Sequence, residues 1–212
     1  MKKINLSRDD VQVISKESAY TGFFNLDVYA LRHKQFSGGW GSEIRREVFE
    51  RGHAVGVLPY DPAADCVILI EQFRAGAFAA VTSPLFGNGS SPWLYEAVAG
   101  MIDEGEKPED VAYREAMEET GLTLKDLLPI CHYLVSPGGS TESVFVFVGH
   151  ADVTKVEGVH GVPHEGEDIR PFAVPLQEAY DAIAAGQINN GMTIIALQWL
   201  MLNKELVRTK WV

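Results

Sequence analysis

The sequence predicts an α+β fold, in which antiparallel strands pack with helices. Three observations support this class. The N-terminal part contains three consecutive runs that are rich in β-branched and aromatic residues. Two further runs of this kind, joined by a turn, precede the first helical pattern. The later strands and helices do not follow the regular alternation that is typical of a parallel wound sheet.

A small antiparallel sheet is predicted at the N-terminus. Its extended segments cover residues 11–17, 23–33 and 43–50, and they are separated by Gly22 and by the turn-rich stretch FSGGWG. We expect residues 1–50 to form this β-sheet domain. A second domain is expected to cover residues 51–212.

The second domain is predicted to combine strands with three helices. One helix begins at Pro108 and ends before Gly121, since proline favours the first helical position and glycine favours the C-terminal cap. Residues 75–92 are rich in glycine, serine and proline, and residues 153–168 contain several glycines and few apolar anchors, so both segments are predicted to be loops. The other predicted elements are strands at 53–61, 66–74, 93–100, 128–135, 143–149 and 169–174, and helices at 176–185 and 192–206.

Composition and charge exclude several classes of protein. Hydrophobic residues make up 46% and charged residues 22% of the chain, which is typical of globular proteins. No apolar run approaches the roughly 18 residues that a membrane-spanning helix needs, and the N-terminus lacks the pattern of a signal peptide. A cytoplasmic protein is therefore expected. The net charge of −11 argues against a nucleic-acid-binding surface.

The two cysteines, Cys66 and Cys131, lie far apart in the sequence and have no histidines at metal-ligand spacing. Neither a disulfide framework nor a zinc site is predicted. We interpret both as buried thiols.

Three glutamates share one face of the helix that begins at Pro108. Glu118 and Glu119 follow Glu115 by three and four residues, so their side chains lie close to that of Glu115. Like charges at this spacing destabilise a helix by about 0.2 to 0.5 kcal/mol per pair, and Arg114 is expected to pair with only one of them. A divalent cation such as Mg²⁺ would relieve the repulsion. The alternative is a solvated acidic face without function.

The wider segment that carries these glutamates has a regular spacing of residues: Gly100, Glu106, Arg114, Glu115, Ala116, Glu118, Glu119, Gly121 and Leu122. These residues match every fixed position of the Nudix box, G-x5-E-x7-R-E-U-x-E-E-x-G-U, where U is apolar, so the segment resembles that motif. The resemblance implies the Nudix fold, an α/β/α sandwich of mixed sheet, and hydrolysis of a nucleoside diphosphate linked to another group. It also implies that Glu115 and Glu119 bind metal directly, with Glu118 as a third carboxylate, and that Arg114 and Glu106 orient the loop and the helix.

Stretches outside the box resemble the ADP-ribose pyrophosphatase subgroup of this family. They are RREVFERGHA, EQFR, the sequence Ser136-Pro137-Gly138-Gly139 downstream of the box, and HEGEDIR. Taken alone, the Pro-Gly sequence is also compatible with an ordinary turn. The resemblance implies cleavage of ADP-ribose to AMP and ribose 5-phosphate with Mg²⁺, or with Mn²⁺ as a second possibility.

The resemblance further implies roles for residues on both sides of the box. Ala99 would provide its main-chain carbonyl to a metal ion, and Glu167 a side-chain ligand. Glu165 would act as general base, which removes a proton from the attacking water. Glu115 is assigned to catalysis as well as to metal binding. The alternative for HEGED is a hydrated acidic loop.

Substrate contacts are implied for a further set of residues. Arg46, Arg51 and Arg74 would bind or orient the ligand, because guanidinium groups suit phosphate oxygens. Phe23 would stack on adenine, although burial in the core is an alternative for this ring. The other implied ligand contacts are Glu47, Met101, Ser136, Gly138 and Glu142.

The subgroup also implies a homodimer in which the N-terminal sheet is exchanged between subunits. Phe23, Arg46 and Glu47 would then reach the site of the partner.

One segment departs from the subgroup: residues 75–92 form a longer stretch than expected, next to Arg74. It motivates an alternative substrate, either another nucleoside diphosphate sugar or a dinucleotide. A third hypothesis is a Nudix module that binds ADP-ribose without catalysis.

Overall fold

The structure is a computed structural model that describes residues 6–87 and 90–212. It divides into two compact units. The smaller unit, called the N-terminal unit below, comprises the described chain up to His53 together with Leu134–Ser143. The larger unit comprises Ala54–Tyr133 and Val144–Val212.

The N-terminal unit contains the three-stranded antiparallel sheet that was predicted. Its strands are β1 (Val11–Thr21), β2 (Asn25–His33) and β3 (Ile44–Glu50), in the order β1-β2-β3. Leu134–Ser143 belongs to this unit because its backbone bonds to the end of β3. The N–H of Phe49 donates to the carbonyl of Gly139 at 2.8 Å, and the N–H of Thr141 donates to the carbonyl of Phe49 at 3.1 Å.

The larger unit is built on a seven-stranded mixed sheet of order β10-β5-β4-β9-β8, in which β6 pairs with β5 and β7 with β4. The strands are β4 (His53–Asp61), β5 (Cys66–Phe73), β6 (Trp93–Glu96), β7 (Val98–Met101), β8 (Leu127–Leu134), β9 (Ser143–His150) and β10 (Arg170–Pro175).

The prediction of a single strand at 93–100 is wrong, because Ala97 interrupts it and separates β6 from β7. The cause lies in the two strands beside it. β4 and β5 pair at the end of their hairpin, through Tyr60 with Val67 and Asp61 with Cys66. Further along, β5 pairs with β6 and β4 pairs with β7. The segment therefore changes partner midway, which one regular strand could not do.

In the described part of the larger unit, four α-helices accompany the sheet: α1 (Ala75–Ala80), α2 (Pro108–Thr120), α3 (Leu176–Ala184) and α4 (Gly191–Trp211). Buried residues of β5 alternate between two cores. Ile68 packs in the core that contains Val111 and Ala116 of α2, whereas Leu69 packs in the core that contains Leu197 of α4. Because neighbouring strand residues face opposite sides of a sheet, α2 covers one face and α3 with α4 the other. The predicted α/β/α sandwich is thus confirmed.

Three other expectations need correction. The predicted loop at 75–92 contains α1, and the loop at 153–168 contains 3-10 turns at Val153–Lys155 and Pro163–Glu165. Cys131 is exposed and Cys66 is only partly buried, so the prediction of two buried thiols is wrong. Within the described ranges, no helix combines the length and the apolar character needed to cross a membrane.

Candidate functional site

Helix α2 carries the acidic cluster of the site. It begins at Pro108 and ends at Thr120, and the left-handed backbone of the C-cap residue Gly121 (φ 69°) lets its N–H donate to carbonyls in the last turn. Glu115 and Glu119 lie one turn apart and are buried, with 9% and 2% of their surfaces exposed. Glu118 lies at the exposed border of the same face. The helix thus directs two carboxylates inward and a third along the edge.

Strand β7 lies directly against the two buried carboxylates. The N–H of Ala99 donates a 3.0 Å hydrogen bond to Oε2 of Glu119. A Cβ atom placed on Gly100 would lie 1.7 Å from Oε1 of Glu115. Only glycine allows this approach, which explains in physical terms why the box begins with this residue.

Arg114 links the acidic groups to one another. Its Nη1 donates to Glu115 at 2.7 Å and to Glu118 at 3.0 Å, so the expectation that it pairs with only one glutamate is wrong. Its Nε and Nη2 donate to Glu106 at 3.2 Å, and Nη2 also donates to the carbonyl of Met101 at 3.3 Å. The fork geometry of guanidinium permits contact with several acceptors at once. Arg114 also holds the pKa of Glu106 below its usual value.

Burial raises the pKa of both inward-facing glutamates. The pKa of Glu115 rises to about 6, mainly by desolvation and against the opposing effect of Arg114; the charges of Glu118 and Glu167 raise it further. Burial also raises the pKa of Glu119, while the bond from Ala99 lowers it and the charges of Glu115 and Glu167 raise it. Glu167 lies in the loop at residues 153–168, called the late loop below, and is therefore within electrostatic reach of both buried carboxylates.

The donor set fits a hard divalent cation, which prefers carboxylate oxygens. Like charges are buried together here, and an added cation would stabilise them. Among the residues that the structure describes, no three histidine, cysteine or acidic side chains are grouped so as to hold an ion as they stand. Arg114 bonds to Glu115 and Glu118 and so occupies carboxylate oxygens that could bind an ion. A cation would compete with these bonds.

The late loop is fastened at its base. His160 and Ile169 exchange backbone hydrogen bonds of 2.8 and 3.0 Å, and the N–H of Gly161 donates to the carbonyl of Glu118 at 3.2 Å. Oε2 of Glu167 accepts from the N–H of Val162 at 2.9 Å. Glu165 lies at the end of the 3-10 turn at the tip, and its side chain is outside the part that the structure describes.

Arg74 follows β5 and reaches the acidic cluster electrostatically, since its charge lowers the pKa of Glu119. Its Nε donates to Oε2 of Glu96 at 2.7 Å, and its side chain is 40% exposed. Met101 ends β7, where its carbonyl accepts from Arg114. Of the predicted ligand contacts, these two lie in the larger unit with the glutamates.

The other predicted ligand contacts lie in the N-terminal unit. Arg46 and Glu47 are consecutive on β3, so their side chains face opposite sides of the small sheet. A cavity of about 310 Å³ is lined by Val28, Arg45, Arg46 and Glu47. Arg51 and Glu142 bond to each other at 2.9 Å. Two predicted substrate residues are thus ion-paired within this unit.

Phe23 is 93% exposed, which excludes the alternative that this ring is buried in the core of the chain. It packs edge-on against Phe24, and Phe24 packs against Phe49. Ser136 and Gly138 form a turn, in which the carbonyl of Ser136 accepts from the N–H of Gly139 at 3.1 Å. No atom lies within 4 Å of a Cβ placed on Gly138.

Sequence reasoning did not single out Glu96, a nearly fully buried carboxylate beside Arg74. One signal was available. Glu96 is the single charged residue in the apolar run WLYEAVAG, and a charge at such a position is rarely buried unless it is paired.

Comparison with known proteins gives a consistent result. The family model described as "NUDIX domain" matches residues 50–193. The ADP-ribose pyrophosphatase of Escherichia coli (strain K12) is 45% identical over 208 residues, which cover 98% of this chain and 96% of the relative. The ADP-ribose pyrophosphatase of Haemophilus influenzae is 40% identical, with 98% and 93% covered.

Two further matches extend the comparison. A GDP-mannose pyrophosphatase of Yersinia pestis is 35% identical over 196 residues, with 91% of this chain and 92% of the relative covered. A crystal structure titled ADP compounds hydrolase has a TM-score of 0.69 at 21% identity, and the match covers 96% of this chain and all of that chain. This last likeness shows the fold alone. Taken with the intact box, these matches show that the chain belongs to the Nudix family and is a Nudix hydrolase.

Proposed function

We propose that the protein hydrolyses ADP-ribose to AMP and ribose 5-phosphate with the help of divalent cations, Mg²⁺ first and Mn²⁺ as a possible substitute. The observation that carries the proposal is the pair of buried carboxylates, Glu115 and Glu119, pressed against the backbone of Ala99 and Gly100. The relatives at 40 and 45% identity, which match nearly the whole chain, bear the name ADP-ribose pyrophosphatase.

The cations would be held by the carboxylates of Glu115, Glu118, Glu119 and Glu167 and by the carbonyl of Ala99. A bound divalent cation neutralises charge on the diphosphate and makes the attacking water more acidic. Arg114 would keep the glutamates in position, since it bonds to Glu106, Glu115 and Glu118 simultaneously. Glu115 would thus serve both metal binding and catalysis.

Glu165 would act as the general base. A water oxygen forms a bond to phosphorus, the bond from phosphorus to the bridging oxygen breaks, and the proton of the water passes to the Glu165 carboxylate. The position of Glu165 in a short turn above a hydrogen-bonded base supports this role. The bonds between His160 and Ile169 fix that base, and the N–H of Gly166 donates to the carbonyl of Pro163 at 3.1 Å within the turn.

Substrate binding would involve residues of two subunits. Arg74 and Met101 lie in the larger unit. We further propose that the N-terminal sheet is exchanged in a homodimer, which would bring Phe23, Arg46 and Glu47 to the site of the partner. Every residue of β1 is exposed in the single chain, and Val11, Val13 and Ile14 are among them. Such apolar exposure is typical of an interface. The remaining contacts proposed are Arg51, Ser136, Gly138 and Glu142.

The experiment that tests the proposal is product identification. Purified protein is incubated with ADP-ribose and Mg²⁺, and AMP and ribose 5-phosphate are quantified by chromatography. Equal amounts of both are expected, with loss of activity when a chelator is added and recovery with excess Mg²⁺. Absence of AMP in the presence of Mg²⁺ would refute the proposed reaction.

A second candidate substrate is another nucleoside diphosphate sugar. The relative at 35% identity is named GDP-mannose pyrophosphatase. In addition, the long segment after Arg74 forms α1, and Phe78 of this helix joins an exposed aromatic cluster with Phe73 of β5 and Trp93 of β6. The ring centroid of Phe73 lies 6.3 Å from that of Phe78 and 5.4 Å from that of Trp93. The cluster is adjacent in sequence to Arg74, so it could alter the preference for the second half of the substrate.

A further inference from the structure

Glu96 accepts hydrogen bonds from three side chains. Oε2 accepts from Nε of Arg74 at 2.7 Å and from Nε2 of Gln72 at 3.3 Å, and Oε1 accepts from Nδ2 of Asn190 at 2.6 Å. Only 2% of Glu96 is exposed. A buried carboxylate persists when its oxygens are fully bonded, and both oxygens of Glu96 are.

Arg74 is held by this contact at one edge of its guanidinium group. Nε faces Glu96, whereas within the described residues no hydrogen bond involves the two terminal nitrogens. The side chain remains 40% exposed, and its charge acts on Glu119 of the acidic cluster. Within the described residues, the two terminal NH₂ groups of Arg74 are therefore available for phosphate oxygens, which suit the fork of a guanidinium group.

Asn190, which donates to the other oxygen of Glu96, is itself held by hydrogen bonds. Asn190 is the N-cap of α4, and its Oδ1 accepts from the N–H of Thr193 at 3.1 Å. Oγ1 of Thr193 in turn accepts from the N–H of Ala97 at 2.9 Å. Ala97 lies at the break between β6 and β7, two residues before Ala99, whose N–H binds Glu119. One set of hydrogen bonds thus joins Arg74, the start of α4 and the strand that contacts the glutamates.

We infer that Glu96 is a positioning residue that fixes the guanidinium group of Arg74 for substrate binding. It acts through Arg74 and does not itself touch the substrate or the cations. The inference rests on the proposed function only in that Arg74 binds the substrate. The role assigned to Glu96 and to the N-cap of α4 goes beyond the proposed function.

The first test compares Glu96→Gln with wild type. Glutamine keeps the shape of the side chain, but one of its two terminal atoms is an NH₂ group, which would face a donor of Arg74, Gln72 or Asn190. We expect KM for ADP-ribose to rise about tenfold while kcat changes less than about twofold. A matched control is Glu71→Gln, on the adjacent strand, where Glu71 pairs with the exposed Arg170; its KM should stay at the wild-type value.

The decisive test is a double-mutant cycle with Arg74→Ala. If Glu96 acts through Arg74, Glu96→Gln should leave KM unchanged, within about twofold, once Arg74 is absent. Should the same tenfold rise persist in the Arg74→Ala background, the inference is overturned. A uniform loss of kcat with unchanged KM would also overturn it, because that pattern indicates a structural role alone.

Two provisions keep the outcome interpretable. If Glu96→Gln fails to fold, Arg74→Lys replaces it, since lysine retains the charge but has no Nε–H to bond with Glu96; a similar rise in KM is expected, and an unchanged KM would contradict the inference. If wild type cleaves another nucleoside diphosphate better than ADP-ribose, the cycle is measured with that compound. The proposed substrate then fails, whereas the coupling between Glu96 and Arg74 is still determined.

Discussion

The backbone N–H of Ala99 donates a 3.0 Å hydrogen bond to Oε2 of Glu119, a side chain that is 98% shielded from solvent. The bond ties the strand that precedes the box loop to the helix that follows it. One oxygen of Glu119 is thereby fixed, and the carboxylate is held at a defined place between helix and strand. Such preorganisation is what a metal ligand requires.

The first prediction concerns Glu119 itself. Glu119→Gln keeps the volume but removes the charge, so kcat/KM for ADP-ribose with Mg²⁺ should fall by about 100-fold or more. Steady-state kinetics of the two proteins provide the measurement. The matched control is Glu109→Gln, an exposed position in the first turn of the same helix, which should retain wild-type activity. Wild-type activity in Glu119→Gln would contradict the proposed site.

Cation binding should stabilise the folded protein. A ligand present at a hundred times its Kd adds about 2.7 kcal/mol to the free energy of unfolding, which corresponds to a rise in Tm of about 5 to 10 °C for a chain of this size. Differential scanning fluorimetry with and without Mg²⁺ measures the shift. In Glu115→Gln the shift should be much smaller. An equal shift in both proteins would show that Mg²⁺ binds elsewhere.

Gly100 provides a test of the contact between strand and helix. In Gly100→Ala the new Cβ would overlap Oε1 of Glu115, so the carboxylate must move and activity should fall by about tenfold or more. The comparison is Gly76→Ala in α1, where no atom lies within 4 Å of the added Cβ. If Gly100→Ala and Gly76→Ala are equally active, Glu115 does not need the position seen here.

The homodimer can be tested through the exposed face of β1. Sedimentation velocity should show a dimer for wild type and a monomer for Val13→Glu, because a charge at a buried interface is costly. Val13 is 54% exposed in the single chain. The control is Leu202→Glu on α4, at a position 86% exposed, which should remain dimeric. A monomeric wild type at micromolar concentration would refute the exchanged dimer.

The C-terminus of α4 offers a prediction about acid stability. Nζ of Lys210 lies 2.8 Å from Oδ2 of Asp126, and Nε1 of Trp211 donates to the same oxygen at 2.9 Å. Chiefly these bonds lower the pKa of Asp126 to about 2. Because the pKa is lower in the folded protein, the contribution of Asp126 to the free energy of unfolding is complete above the unfolded pKa near 3.8. This contribution is lost as the pH falls through 2.

Wild type should therefore have a higher Tm than Asp126→Asn at pH 5, and the difference should shrink toward pH 2. Thermal denaturation across this range measures both curves. The exposed Asp9→Asn serves as the reference for removal of one acid. A difference in Tm that stays constant from pH 5 to pH 2 would exclude titration of Asp126 as its source.

Elements with local signals were predictable from the sequence. Helix α2 begins at Pro108 and ends just before Gly121 as expected, because proline and glycine determine the two ends locally. The position of the glutamates on one face follows from helical periodicity in the same way. Both predictions depend only on residues that are close together in the sequence.

Features that depend on distant parts of the chain were not predictable. The break at Ala97 arises because β4 and β5 pair with different strands beyond their hairpin. The bond between Glu96 and Asn190 joins positions far apart in sequence, and no local pattern indicates it. The short helix α1 lies in a stretch whose glycine, serine and proline content indicated a loop.

The most direct measurement of the central claim is the ratio of kcat/KM for ADP-ribose to kcat/KM for GDP-mannose, determined on wild-type protein with Mg²⁺. Our account predicts a ratio well above one, with AMP as a product of ADP-ribose cleavage. A ratio below one, or no AMP from ADP-ribose, would contradict it.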